Sequence, residues 1–300
     1  MEPLRCAAPS ALVALIAVLA AAPDCARAEG TLASDALAES DRLWTERSLD
    51  AKGGEASAPR AAALVAVCRK AAELDPGSLE PRWRLMRALY FQGEHATADA
   101  AEKKKIFDEG KKAGEASLGI VRQAVAKATG RKTADETPVQ LAPDARGIPG
   151  IVPTFLWAGV DWGKWALVFG KTAAVKQGVA AKIRDYAAAV VLLDPSFESG
   201  AGYRVLGRLH HQTPSIPFFT MWASRDEALK NLHLAYVAGP KHFYNRLYLA
   251  EAMWDYEKEK RSEARRMLEE LVAAAPSSDY LVEDRRAQEE ARALLAAWAK

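Results

Sequence analysis

The chain has 300 residues, half of them apolar, and 41 lysines and arginines against 39 aspartates and glutamates leave a net charge of +2. Charge this balanced, and spread along the chain, leaves no basic surface for a nucleic-acid partner. Of three cysteines, Cys6 and Cys25 fall in the first 28 residues. Cys68 then has no intrachain partner, and stability must come from a packed core.

The N-terminus reads as an export signal. Met1 and Arg5 give a positive start, residues 11–22 form an apolar run, and Ala26-Arg27-Ala28 offers small residues for cleavage. The run is shorter than the roughly 18 residues that cross a bilayer. Cys25 follows Pro23-Asp24, a poor context for lipid modification. The expectation is a signal peptide over 1–28, a single helical repeat domain over 29–300, and a periplasmic product without a lipid anchor.

Downstream, no stretch sustains the two-residue alternation of a half-buried strand, and Gly and Pro punctuate segments rich in Ala, Leu, Glu, Arg and Lys. A phrase recurs. Ala228, Leu232, Ala235 and Pro240 stand at offsets 0, 4, 7 and 12; Ala264, Leu268, Leu271 and Pro276 repeat them, as do Ile183, Ala187, Val190 and Pro195. Ala63, Val67, Ala71 and Pro76 give a looser copy, one residue out of step. Offsets of 4 and 7 share one helical face, and a proline stops the helix because it lacks the N–H and clashes with the preceding turn. Leu206-Gly207 and Leu249-Ala250 supply the small residue on a preceding helix that lets two helices approach closely. Residues 130–150 read as a long Pro- and Gly-containing loop, and a closing helix from about Asp284 carries Ala287, Ala291, Leu294, Leu295 and Trp298 on one face. The predicted fold is all-α, with tetratricopeptide-like hairpins stacked in a right-handed superhelix and a C-terminal capping helix.

Catalytic and metal chemistry find no support in the residues. The five histidines make no ligand spacing, and HExxH, CxxC and GxSxG are absent. No catalytic residue, metal or cofactor is predicted. Gly200-Ala201-Gly202 follows a helix and Asp194-Pro195, which makes it a turn and not a phosphate loop.

Two segments carry the functional expectation. Trp157, Trp162, Trp165 and Phe169 crowd one helix, either as packing between hairpins or as the wall of an apolar cavity for an organic acid. Lys164, Arg204 and Arg208 are the cations that could meet its carboxylate, and Tyr203 accompanies Arg204. The insertion before Asp226 holds Phe218, Phe219 and Trp222, which either seal the core or contact a partner.

Three stretches in order resemble one family. They are Pro153-Thr154-Phe155-Leu156-Trp157-Ala158 with Gly163-Lys164-Trp165, then residues 203–209 (Tyr-Arg-Val-Leu-Gly-Arg-Leu), then Pro214 to Pro217 ahead of Asp226-Glu227-Ala228. Together they resemble the T component associated with tripartite ATP-independent periplasmic (TRAP) transporters. The resemblance implies cryptic tetratricopeptide motifs, a tendency to form homotrimers, docking to the periplasmic substrate-binding subunit, and an internal channel for a small apolar organic acid. It carries over no catalytic residue. The competing expectation is a general tetratricopeptide scaffold for protein–protein interaction in the cell envelope.

Overall fold

The protein is described by a computed structural model that covers the backbone of residues 22–213 and 222–300, with side chains from residue 31 onward. Among these residues the fold is all-α. In chain order the helices are α1 Ala22–Thr45, α2 Ala58–Leu74, α3 Glu80–His95, α4 Ala100–Thr129, α5 Pro138–Ala145, α6 Ile151–Phe169, α7 Lys171–Lys176, α8 Val179–Leu193, α9 Phe197–Gln212, α10 Arg225–Ala238, α11 Phe243–Tyr256, α12 Arg261–Ala273 and α13 Leu281–Trp298. A single 3-10 turn, Lys258–Lys260, precedes α12. No described helix is long and apolar enough to cross a membrane.

Local chemistry sets the boundaries. Pro59, Pro81 and Pro138 sit in the first turns of α2, α3 and α5, where a missing N–H costs nothing. The Asp99 side chain accepts from the Glu102 N–H at 2.8 Å to cap α4, and Gly130 ends that helix at φ 72°. α2, α8, α10 and α12 stop two or three residues before Pro76, Pro195, Pro240 and Pro276.

The recurring apolar phrase is the packed face of these four helices. Ala228, Leu232 and Ala235 are fully buried, as are Ala264, Leu268 and Leu271, and each such leucine contributes about 1.5–3 kcal/mol by leaving water. In α2 the register differs from the sequence reading. Ala63 is exposed and Val67 half-exposed, whereas Leu64, Cys68 and Ala71 are buried and keep offsets 0, 4, 7 and 12 to Pro76. The expected loop over 130–150 contains α5, held by a reciprocal Thr137 and Gln140 capping box, with Leu141, Ala142 and Ala145 fully buried.

Gly200 closes a non-helical kink at the start of α9 that separates two helical stretches, in keeping with the turn expected there. Glu198, Ser199 and Gly200 take φ of 42°, 59° and 77° in succession, all left-handed. Asn245, fully buried in α11, ties this kink down by donating to the carbonyls of Ser199, Ala235 and Gly239 at 2.8, 2.7 and 3.0 Å.

Most helices pack on their neighbours in sequence, with α5 set against α4 and α8, and the two ends of the chain also meet. Arg47, just past α1, donates through Nη2 to Glu283 of α13 at 2.9 Å and to the Asp279 carbonyl. The Gly54 N–H donates to Glu289 at 2.9 Å, and Phe91, Val282 and Ala61 form a small apolar cluster across the seam. The helices thus close into a ring.

Candidate functional site

Closure turns one face of α3, α6, α9, α11 and α13 toward a shared interior, and that face is polar and aromatic. On α3 it presents Arg87, Tyr90 and Glu94; on α9, Arg204 and Arg208; on α11, Tyr244, Tyr248 and Glu251; on α13, Glu283 and Glu290. The spacings of 3, 4 and 7 place each set on one side of its helix. All of these side chains are half-buried.

Most of the charges are paired. Lys164 of α6 meets Glu94 at 2.7 Å, and its ammonium lies 5.5 Å from the Tyr90 ring centre. Arg208 meets Glu251 at 2.6 Å and sits over Tyr248 at 4.2 Å. Tyr244 donates to Glu290 at 3.2 Å and contacts Tyr248, with ring centres 5.2 Å apart. Arg204 donates to the Asn245 side-chain oxygen at 2.8 Å. The pairs form on protein of low dielectric, where charge-assisted hydrogen bonds are stronger than in water.

Enclosure shows in the acidities. Burial, reinforced by Glu94 and Tyr248, lifts the Tyr90 phenol well above its usual range, and burial lifts Tyr248 and Tyr244 in the same direction. The Glu198 carboxyl is raised by burial against the pull of Arg204 and Arg87. Burial lowers Arg204 and brings Arg87 down to about 10. The Glu94 carboxyl also feels burial, but the Lys164 ammonium outweighs it and the net shift is downward. His242, beside Tyr280 with ring centres 5.5 Å apart, is pushed down to about 2 by burial and then by Arg204, so its ring is neutral.

The structure divides the tryptophan stripe of α6. Trp157 faces the interior: it is 9% exposed, lies 5.4 Å from Tyr90 between ring centres, and its indole N–H has no acceptor. Trp162 and Trp165 turn toward α4. Trp162 is 1% exposed beneath Lys111 and Lys182, and Trp165 donates to Asp108 at 3.1 Å while stacking on Phe169 at 4.6 Å. Arg204 points inward, and Tyr203, one position earlier, is about 100° around the helix from it. Phe218 and Phe219 lie outside the described residues. Trp222 is half-buried, edge-on to His210 at 5.1 Å with Arg184 over its ring at 5.2 Å.

Arg87, Tyr90, Tyr248 and Glu198 escaped the sequence reading, although the 3-, 4- and 7-residue spacing of charged and aromatic side chains on α3 and α11 was there to be read. No group of three or more His, Cys, Asp or Glu among the described residues could hold a metal ion.

A scan against protein-family models finds no match, and a search of curated proteins finds none.

Proposed function

We propose that this is an exported accessory protein of a TRAP-type solute uptake system, a tetratricopeptide-like superhelix that docks the periplasmic substrate-binding subunit and holds a small organic acid in its interior. The observation that carries the reading is the convergence of Arg204, Arg87, Tyr90, Tyr248 and Trp157 from four helices inside a closed ring. Guanidinium groups and aromatic faces together suit an amphiphile with an acid at one end. A structural core has no use for so many enclosed polar groups, since each must be hydrogen-bonded or lose stability. The order of the three family-like stretches is the support for the transporter partner. Two of them, residues 153–165 and 203–209, lie on α6 and α9 and include the inward-facing Trp157, Lys164, Arg204 and Arg208.

The docking is tested by affinity capture of the tagged full-length protein from the periplasm of its own host. Recovery of a solute-binding subunit of a TRAP system is the expected result. Capture of envelope-assembly proteins alone overturns the transporter reading in favour of a general scaffold.

A further inference from the structure

Three interior groups are left without the partners their chemistry calls for. Arg87 packs its guanidinium on Trp44 at 3.7 Å and over Trp83 at 4.8 Å, its Nε is sealed from solvent without an acceptor, and it forms no ion pair. The Trp157 indole N–H is likewise sealed and unanswered. Glu198 is enclosed near Arg87 and Arg204 yet stands beyond hydrogen-bonding distance of both guanidiniums through its carboxylate, and only its backbone carbonyl accepts from Arg204, at 3.5 Å. An enclosed guanidinium with no anion beside it is costly, and truncating or filling such a site has large effects.

The backbone singles out the same place. Glu198 and Ser199 are non-glycine residues in left-handed conformation, a strained state that persists only where the surroundings over-determine it and that clusters at ligand sites. Elsewhere in the interior Lys164, Arg208 and Arg47 are matched by Glu94, Glu251 and Glu283. Arg87, Arg204 and Glu198 together leave one positive charge uncompensated.

We propose that Arg87 and Arg204 form the acid-binding end of the interior, taking a monocarboxylate whose apolar body lies against Tyr90 and Trp157, with the Glu198 carboxylate as the internal counter-charge when no acid is bound. The two guanidiniums supply charge-assisted donors to the carboxylate oxygens, and the Tyr90 and Trp157 rings supply apolar area for the body. One uncompensated positive charge favours a monoanion over a dianion. The inference rests on the reading of the interior as a ligand site for an organic acid and adds the groups that meet the acid, its single charge and its orientation.

Calorimetric titration of the full chain with 4-phenylbutyrate, its amide, acetate and phenylphosphonate is the test. The acid should bind at least tenfold tighter than the amide and than acetate, and Arg87→Gln and Arg204→Gln should each weaken it tenfold or more. Glu198→Gln should tighten it several-fold by removing the competing carboxylate. Exposed Lys132→Gln is the control, and melting curves establish that each variant is folded; Arg204→Lys, which keeps the charge, serves if Arg204→Gln does not fold. Equal binding of acid and amide, preference for the phosphonate dianion, no response to the arginine changes in folded protein, or no acid binding to the Glu198→Gln variant overturns the assignment. Capture of a solute-binding subunit by a protein that binds no acid leaves the docking intact and removes this inference alone; the opposite result does the reverse.

Discussion

Arg47 and Glu283 form an ion pair at 2.9 Å between residues 236 positions apart, with side chains only 5% and 14% exposed. The guanidinium also packs over Trp44 at 4.1 Å, so one side chain fastens the start of the ring to its last helix. Removing one member leaves the other enclosed and unpaired, which costs about 3–5 kcal/mol. Arg47→Met should therefore lower the urea midpoint sharply, and adding Glu283→Leu should recover a good part of the loss. Additive losses in the double variant would show that the two side chains are not coupled.

Asp161 is fully buried in α6, with both carboxylate oxygens lacking a partner, and burial holds its pKa well above the ordinary carboxylate range. The folded protein keeps this proton while the unfolded chain releases it above about pH 4. Stability linked to Asp161 is thus fully present below the unfolded value and declines as pH rises toward the folded one. Asp161→Asn should lack that decline. Urea midpoints measured between pH 4.5 and 7.5 should shift in favour of the variant as pH rises, and parallel profiles would refute the protonated assignment.

Gly207 is the contact point of α9 with α10. A methyl group there would come within 2.6 Å of the Leu232 side chain and 2.8 Å of its backbone nitrogen, and backbone cannot step aside cheaply. Overpacking of this kind costs about 1–3 kcal/mol. Gly207→Ala should lower stability by that amount despite its better helix propensity, whereas Gly119→Ala, with open space around it in α4, should raise stability slightly. A stabilising Gly207→Ala would mean that the two helices are not held at this distance.

Asn245 bonds three backbone carbonyls and the Arg204 guanidinium at once. Asn245→Ala should destabilise the protein by about 1–3 kcal/mol through the groups it orphans. It should also release the left-handed turn at Glu198, seen as faster amide hydrogen exchange at Ser199 and Gly200 than in the unsubstituted protein, with Ala228 unchanged. Unchanged exchange there would show that the turn holds itself.

The second helices were legible because a proline stop and an apolar 0, 4, 7 pattern are both local, and three of the four copies mark fully or nearly buried residues. The copy at Ala63 slipped by one residue because α2 also carries alanines on its exposed side, which composition alone cannot rank. α5 was hidden by Pro138 and Pro143, residues that usually break helices, although the first is harmless in an opening turn. The interior was legible only in part. Trp157 and Arg204 stood out by type, but charged residues such as Arg87 and Glu94 look the same on a solvated face as on an enclosed one. What encloses them is the meeting of residues 47 and 283, and no short window of sequence carries that signal.

The seam also sets an order of events. A chain made from its N-terminus can stack α1 to α12 as it lengthens, but Phe91 and Trp44 have no cover from Val282 and Arg47 has no counter-charge until the final helix arrives. The last twenty residues therefore act as a clasp, and a chain cut short before Leu281 would carry an apolar, positively charged edge at the end farthest in sequence from the cut.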